Sequence, residues 1–150
     1  MLKLKPHHII DIIRDYGQYS TFEPHIYGHA YHTVAKNIIE NIEQEVQLVI
    51  TSDDVCIPCM NLSSEKQCRD ILPNHPYSSS KQIYNDYLDA EILKALSINA
   101  EFVISIKGYL LLVFKEENLF YKIYPHSKDI IEQRKIMFRK GLNKLGFSEV

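Results

Sequence analysis

Every thiol of this chain falls in one stretch, SDDVCIPCMNLSSEKQC at 52–68, and no other segment carries one. The stretch is polar, is marked by Pro58 and shows neither helix nor strand period, so it reads as a loop. Cys56 and Cys59 form a C-x2-C pair, and Cys68 follows after eight residues. Thiolates two residues apart in a tight turn point at one ion, because the turn folds the chain around the sulfurs. A chain of 150 residues, 45% of them apolar, builds a core without covalent staples, so these thiols are not required as disulfides. Metal or redox chemistry is what remains for such spacing in a reducing compartment.

Three readings compete for the loop. A thioredoxin-like dithiol wants the pair opening a helix just after a strand; the strand is there, but MNLSSEKQC is a poor helix and the third cysteine is left over. Three unrelated thiols is the bland alternative. The spacing favours a metal or cluster site. Three sulfurs need a fourth donor for a closed tetrahedral zinc site or a fully ligated iron–sulfur cluster. PHHIID at 6–11 offers it: on a helix His7 and Asp11 are four apart, and His8 and Asp11 three apart. The candidate ligands are therefore Cys56, Cys59, Cys68, His7, His8 and Asp11.

These same residues carry a resemblance. LKLKPHHIID, SDDVCIPC, the lone Cys68 and DAEILKALSIN together resemble a bacterial family of uncharacterised small cysteine-rich proteins, predicted to bind iron–sulfur or metal. That family shows Leu-Arg-Pro-His-His-Leu-Leu-Cys, a helix, and a strand ending in Asp-Asp-Ile-Cys-x-Pro-Cys. The resemblance implies that Cys56, Cys59 and Cys68 are ligands, and it carries His7 and His8 over by position. Two departures matter. The family's cysteine after the histidine pair falls on Asp11 here, and its C-terminal cysteine cluster has no counterpart in IIEQRKIMFRKGLNKLG. A harder ligand set results, which shifts the expected cofactor towards zinc while leaving an iron–sulfur cluster open.

The remainder predicts an α+β fold in a single domain over 1–150, mainly helical, with four to five helices and a small two- or three-stranded sheet. LKLK at 2–5 and VQLVIT at 46–51 read as strands. Pro6 opens a first helix that Gly17 stops. A second helix is predicted over 24–44, with Tyr27, Tyr31, Val34, Ile38 and Ile42 on one stripe. LPNHPYSSS at 72–80 is a connector, and Ser80 or its neighbours cap a third helix through about Leu96 with Ile83, Tyr87, Ala90, Leu93 and Ala95 or Leu96 inward. EFVISIKGYLLLVF suits a hairpin by composition. The rival is a helix capped by Ser105, and the resemblance tips the segment to helix. A last helix runs over 127–145.

Other constellations are weaker. On the predicted second helix His25, His29 and His32 share a face with Lys36, which reads as a solvated polar side with adventitious metal affinity. Asp53 and Asp54 read as loop-shaping residues, with a general-base or ligand-supporting role as the alternative. His75 and His126 lie beside prolines in connectors and read as surface residues. No G-x-S-x-G, Gly-rich phosphate loop or H-E-x-x-H is present.

A net charge of -2 with no basic block makes nucleic acid an unlikely partner. MLKLKPHHII lacks a secretory apolar stretch, and YLLLVF is too short to span a bilayer, so a soluble cytoplasmic protein is expected. The functional expectation is a small metal-binding protein, zinc or iron–sulfur, built from the cysteine loop and the His-His helix. Its alternatives are a metal-dependent enzyme with an open coordination position and a degenerate, metal-free interaction domain.

Overall fold

A computed structural model of the chain describes residues 1–19 and 21–147. The order is β1 (Leu2–Leu4), α1 (Pro6–Gln18), α2 (Tyr31–Glu40), β2 (Glu45–Leu48), α3 (Lys81–Leu96), β3 (Val103–Ser105), α4 (Ile106–Lys115), α5 (Leu119–Ile123) and α6 (Lys128–Lys144). The protein is thus α+β and mainly helical, with the five-residue α5 as an addition to the expected helices. The strands form one sheet in the order β1-β2-β3. β1 runs parallel to β2 with Leu4 opposite Leu48, and β2 runs antiparallel to β3 with Val46 opposite Ile104.

The segment does not form the hairpin that its composition suits: its first part is a strand paired with β2, and the helix that the resemblance favours follows. Val103–Ser105 is a strand, and Ser105 then accepts the Gly108 backbone N–H at 3.0 Å to start α4. Ser80 likewise caps α3 by accepting from Ile83 at 3.3 Å. The second helix is shorter than its periodicity predicts. Gly28 takes a left-handed φ of 73°, and residues 24–30 form an irregular arm ahead of α2. The buried face of α3 also differs from the expected one: Tyr84, Asn85, Leu88, Asp89, Ile92 and Leu93 point inward, and Ile83 is exposed. Apolar residues surround α3 without a marked stripe, so period alone does not choose its face.

The core gathers α1, whose Ile9, Ile10, Ile12 and Ile13 are fully buried, against α6 and α3. Where α1 crosses α6, two glycines let the backbones meet. A Cβ on Gly141 would run into the Ile13 carbonyl oxygen, and one on Gly17 into that of Met137. Gly17 therefore lies inside α1 as a contact surface and does not end it. The helix stops at Gln18.

Gly→Ala inside a helix ordinarily gains up to about 1 kcal/mol. At position 141 the backbone clash should outweigh that gain, because overpacking costs about 1–3 kcal/mol. Gly141→Ala should therefore lower the urea midpoint, and a variant at least as stable as the parent would refute the close crossing.

Candidate metal centre

The N-terminus of α1 has Pro6 in its first turn and no side-chain cap of its own. Its free N–H groups are satisfied from far along the chain. Asp89 of α3 accepts the His7 backbone N–H at 2.9 Å, and Asp53 of the cysteine loop accepts the Lys5 N–H at 2.8 Å. Carboxylates suit this end of a helix, where the backbone dipoles leave partial positive charge. The same two carboxylates hold the histidine rings: His7 Nδ1 lies 2.8 Å from Asp89 Oδ1, and His8 Nδ1 lies 2.6 Å from Asp53 Oδ2. The two rings are tilted at 48° to one another with centroids 4.3 Å apart.

Asp53 is wholly buried and uses its full capacity. Oδ2 receives Lys5 N–H and His8 Nδ1, and Oδ1 receives the N–H groups of Val55 and Cys56, each at 3.2 Å. Four donors fill about four lone-pair sites. The carboxylate thus shapes the loop, as the sequence suggests, and also fastens it to α1. Burial alone would raise its pKa, but His8, Lys5 and these hydrogen bonds hold it well below the usual carboxylate range. Because an ionised Asp53 only accepts, the His8 proton sits on Nδ1 and the lone pair on Nε2 is free. That is the arrangement of a metal-ligating histidine supported by a carboxylate. Asp54 instead pins β1, accepting the Lys3 N–H at 2.7 Å.

Among the described residues, one His/Cys/carboxylate group converges closely enough for an ion: donor atoms of His8, Asp53 and Cys56 lie within 4.8 Å of one another. The cysteine turn is tight, with Cys59 N–H bonded to the Cys56 carbonyl at 2.8 Å. Cys68 is held against α3, its N–H donating to Gln82 Oε1 at 2.6 Å. Cys59 and Cys68 do not join the triplet. They do line the same cavity of about 480 Å³, as do Cys56, His7, His8 and Asp11. All three cysteines are free thiols. Asp11 is engaged with Arg14 at 3.1 Å, and His7 is tied to Asp89.

The cavity draws in every histidine except His32. His25 and His29 stack at 4.6 Å, but on the irregular arm ahead of α2 and not on a shared helical face. His75 and His126, expected at the surface, line the cavity with ring centroids 5.6 Å apart. Buried Lys5 is a further residue the sequence concealed, since LKLK reads only as a strand. Its charge favours both the Asp53 carboxylate and the Cys56 thiolate.

Left to the protein alone, Cys56 stays protonated. Burial first, then the negative charge of Asp53, pushes its thiol up to about 12. A redox dithiol or thiolate nucleophile needs the opposite shift. A bound cation supplies it, because a coordinating thiol is deprotonated outright. Sulfur and imidazole nitrogen brought together in this way are donors that zinc accepts.

Comparison of the chain with family models, curated proteins and solved structures finds no match. No helix among the described residues is long and apolar enough to cross a membrane.

Burial opposes a charge on His7, yet Asp89 and, more weakly, Asp11 raise its pKa above the ordinary value. A raised folded pKa contributes stability that is fully present below about pH 6.5 and is lost as pH climbs through the folded value. Removing one partner of a buried pair costs about 3–5 kcal/mol. Asp89→Asn should therefore destabilise most below about pH 6.5, and urea unfolding should show the gap narrowing as the pH rises above that. A loss independent of pH would sink this assignment.

Proposed function

We propose that this chain is a metal-binding protein that holds one ion through His8 Nε2 and Cys56 Sγ, with Cys59 and Cys68 drawn in to complete the set. Zinc is the preferred ion. The observation that carries the reading is the convergence of His8, Asp53 and Cys56 within 4.8 Å in a cavity lined by every thiol of the chain. A mixed sulfur and nitrogen donor set suits zinc, whereas a cluster draws mainly on thiolates and would use all three cysteines with one iron left to another ligand. Asp53 supports the site from behind by orienting His8, since its own lone pairs are taken. Three free thiols fit a reducing, cytoplasmic setting. The likeness of the His-His and cysteine motifs to a family predicted to bind metal supports the same reading.

A second reading, a metal-dependent enzyme, is favoured by one observation: the cavity of about 480 Å³ is of a size that takes a small molecule. When bound, the ion would supply Lewis acidity at an open position. Asp11, facing the cavity and paired with Arg14, is then the carboxylate placed to move a proton.

Protein purified anaerobically without chelator should hold about one metal equivalent per chain by elemental analysis. A colourless zinc protein is expected, and a brown one means iron. Cys56→Ser and His8→Ala should abolish retention. Cys59→Ser and Cys68→Ser should weaken it. A metal-free parent whose melting temperature ignores added zinc overturns the reading.

Asp53→Asn should leave the ligands in place and weaken metal affinity about 10–100-fold, read by competition with a chromophoric chelator. Unchanged affinity would show that Asp53 shapes the loop and nothing more.

A further inference from the structure

Beyond the metal-binding group, the cavity has a second polar cluster formed by His75, His126 and Arg134. His75 Nδ1 accepts two backbone N–H groups, from Tyr77 at 3.1 Å and Ser78 at 3.4 Å. This fixes the neutral tautomer, with the proton on Nε2. That Nε2 is buried and has no partner, and neither does the buried Nδ1 of His126. Buried polar groups are almost always paired; of the three buried histidine nitrogens without a partner among the described residues, His32 Nδ1 lies away from the cavity, while these two belong to residues that line it side by side, which points to a ligand at this end of the cavity.

The charges around them define its sign. Arg14 is matched by Asp11 at 3.1 Å and Asp15 at 3.4 Å, and Lys81 by Asp70 at 3.4 Å. Arg134 has no carboxylate partner among the described residues, and its guanidinium lies over the Tyr124 ring at 4.5 Å. A second metal ion does not fit. The tautomer of His75 leaves no lone pair free at Nε2, and the uncompensated Arg134 charge repels a cation. What fits an imidazole N–H, a second imidazole nitrogen and a guanidinium fork is a group with several anionic oxygens. His126 serves it as the Nδ1–H tautomer. The pKa of His126, lowered by burial and then by Arg134 and His75, is consistent with a locally positive field.

We propose that His75, His126 and Arg134 form an anion subsite that binds the carboxylate or phosphate group of a small molecule held in the cavity. What the rest of that molecule meets rests on the metal reading above; the anion subsite does not.

The test uses the full chain, metal-free, with its histidines labelled with nitrogen-15. Their ring resonances are followed while inorganic phosphate or acetate is added at constant ionic strength. Saturable shifts at His75 and His126, with a dissociation constant of about 1 mM, are expected for at least one anion, without a comparable shift at His32, which does not line the cavity. Arg134→Gln should weaken binding at least about tenfold, and Arg134→Lys, which keeps the charge but loses the fork, should fall between it and the parent. A response to phosphate alone identifies a phosphate site, and one to acetate a carboxylate site. No saturable shift with either anion, equal shifts at His32, or undiminished binding in a folded Arg134→Gln variant would overturn the proposal. Metal uptake is measured separately. Anion binding that survives in a protein unable to retain metal leaves the subsite standing and removes the metal reading alone.

Discussion

The N-terminus of α1 cannot satisfy itself, and the rest of the architecture follows from how that need is met. Its cap position is Lys5, which has no acceptor to offer, and Pro6 follows immediately. Asp53 and Asp89, from the cysteine loop and from α3, bring buried carboxylates to this one turn. The Tyr109 hydroxyl adds a third long-range tie by donating to the Pro6 carbonyl at 2.8 Å. A helix end buried without such partners would leave several unpaired N–H groups, each costly in a low-dielectric interior. The cysteine loop, α3 and α4 are thereby gathered around the same few residues.

That arrangement also does chemical work. Each carboxylate that accepts from the backbone also holds a histidine ring, so the device that caps the helix orients His7 and His8 as well. The two dyads differ in what they expose. His7 is buried in its pairing with Asp89, while the less buried His8 converges with Asp53 and Cys56. The same negative charge that steadies His8 disfavours a thiolate at Cys56, and Lys5 offsets only part of it. A site so poised is poor for unaided sulfur nucleophilicity. It gains most from a cation, which neutralises Asp53 and the thiolate together.

Much of this was legible in the chain. The cysteine spacing, the His-His pair behind a helix-opening proline, and the serine caps at Ser80 and Ser105 depend on local geometry, which neighbours in sequence dictate. The α+β class follows from the same rules, whereas composition suits a hairpin over 101–114 and only the resemblance favours the helix found at 106–115. Local rules failed where tertiary contacts compete with period. The stripe through Tyr27 and Tyr31 suggests continuous helix, but the 24–30 arm is bound to the cysteine loop by Ala30 N–H to the Val55 carbonyl and Met60 N–H to the Tyr27 carbonyl. Gly17 looks like a helix stop because glycine often is one; only the crossing with α6 shows that the missing Cβ is what matters.

The amino-acid sequence by itself determined which donors exist and which are near one another along the chain: three thiols in one loop, two adjacent imidazoles, and carboxylates just ahead of the cysteines. Only the tertiary structure decided that Asp53 orients His8 with its own lone pairs filled, that Asp89 neutralises His7, and that His75 and His126 face a cavity. The reason is one of range. Turn and helix geometry act over three or four residues, whereas the pairing of a buried charge is set by whatever the packed core brings beside it, here from 45 and 82 positions away.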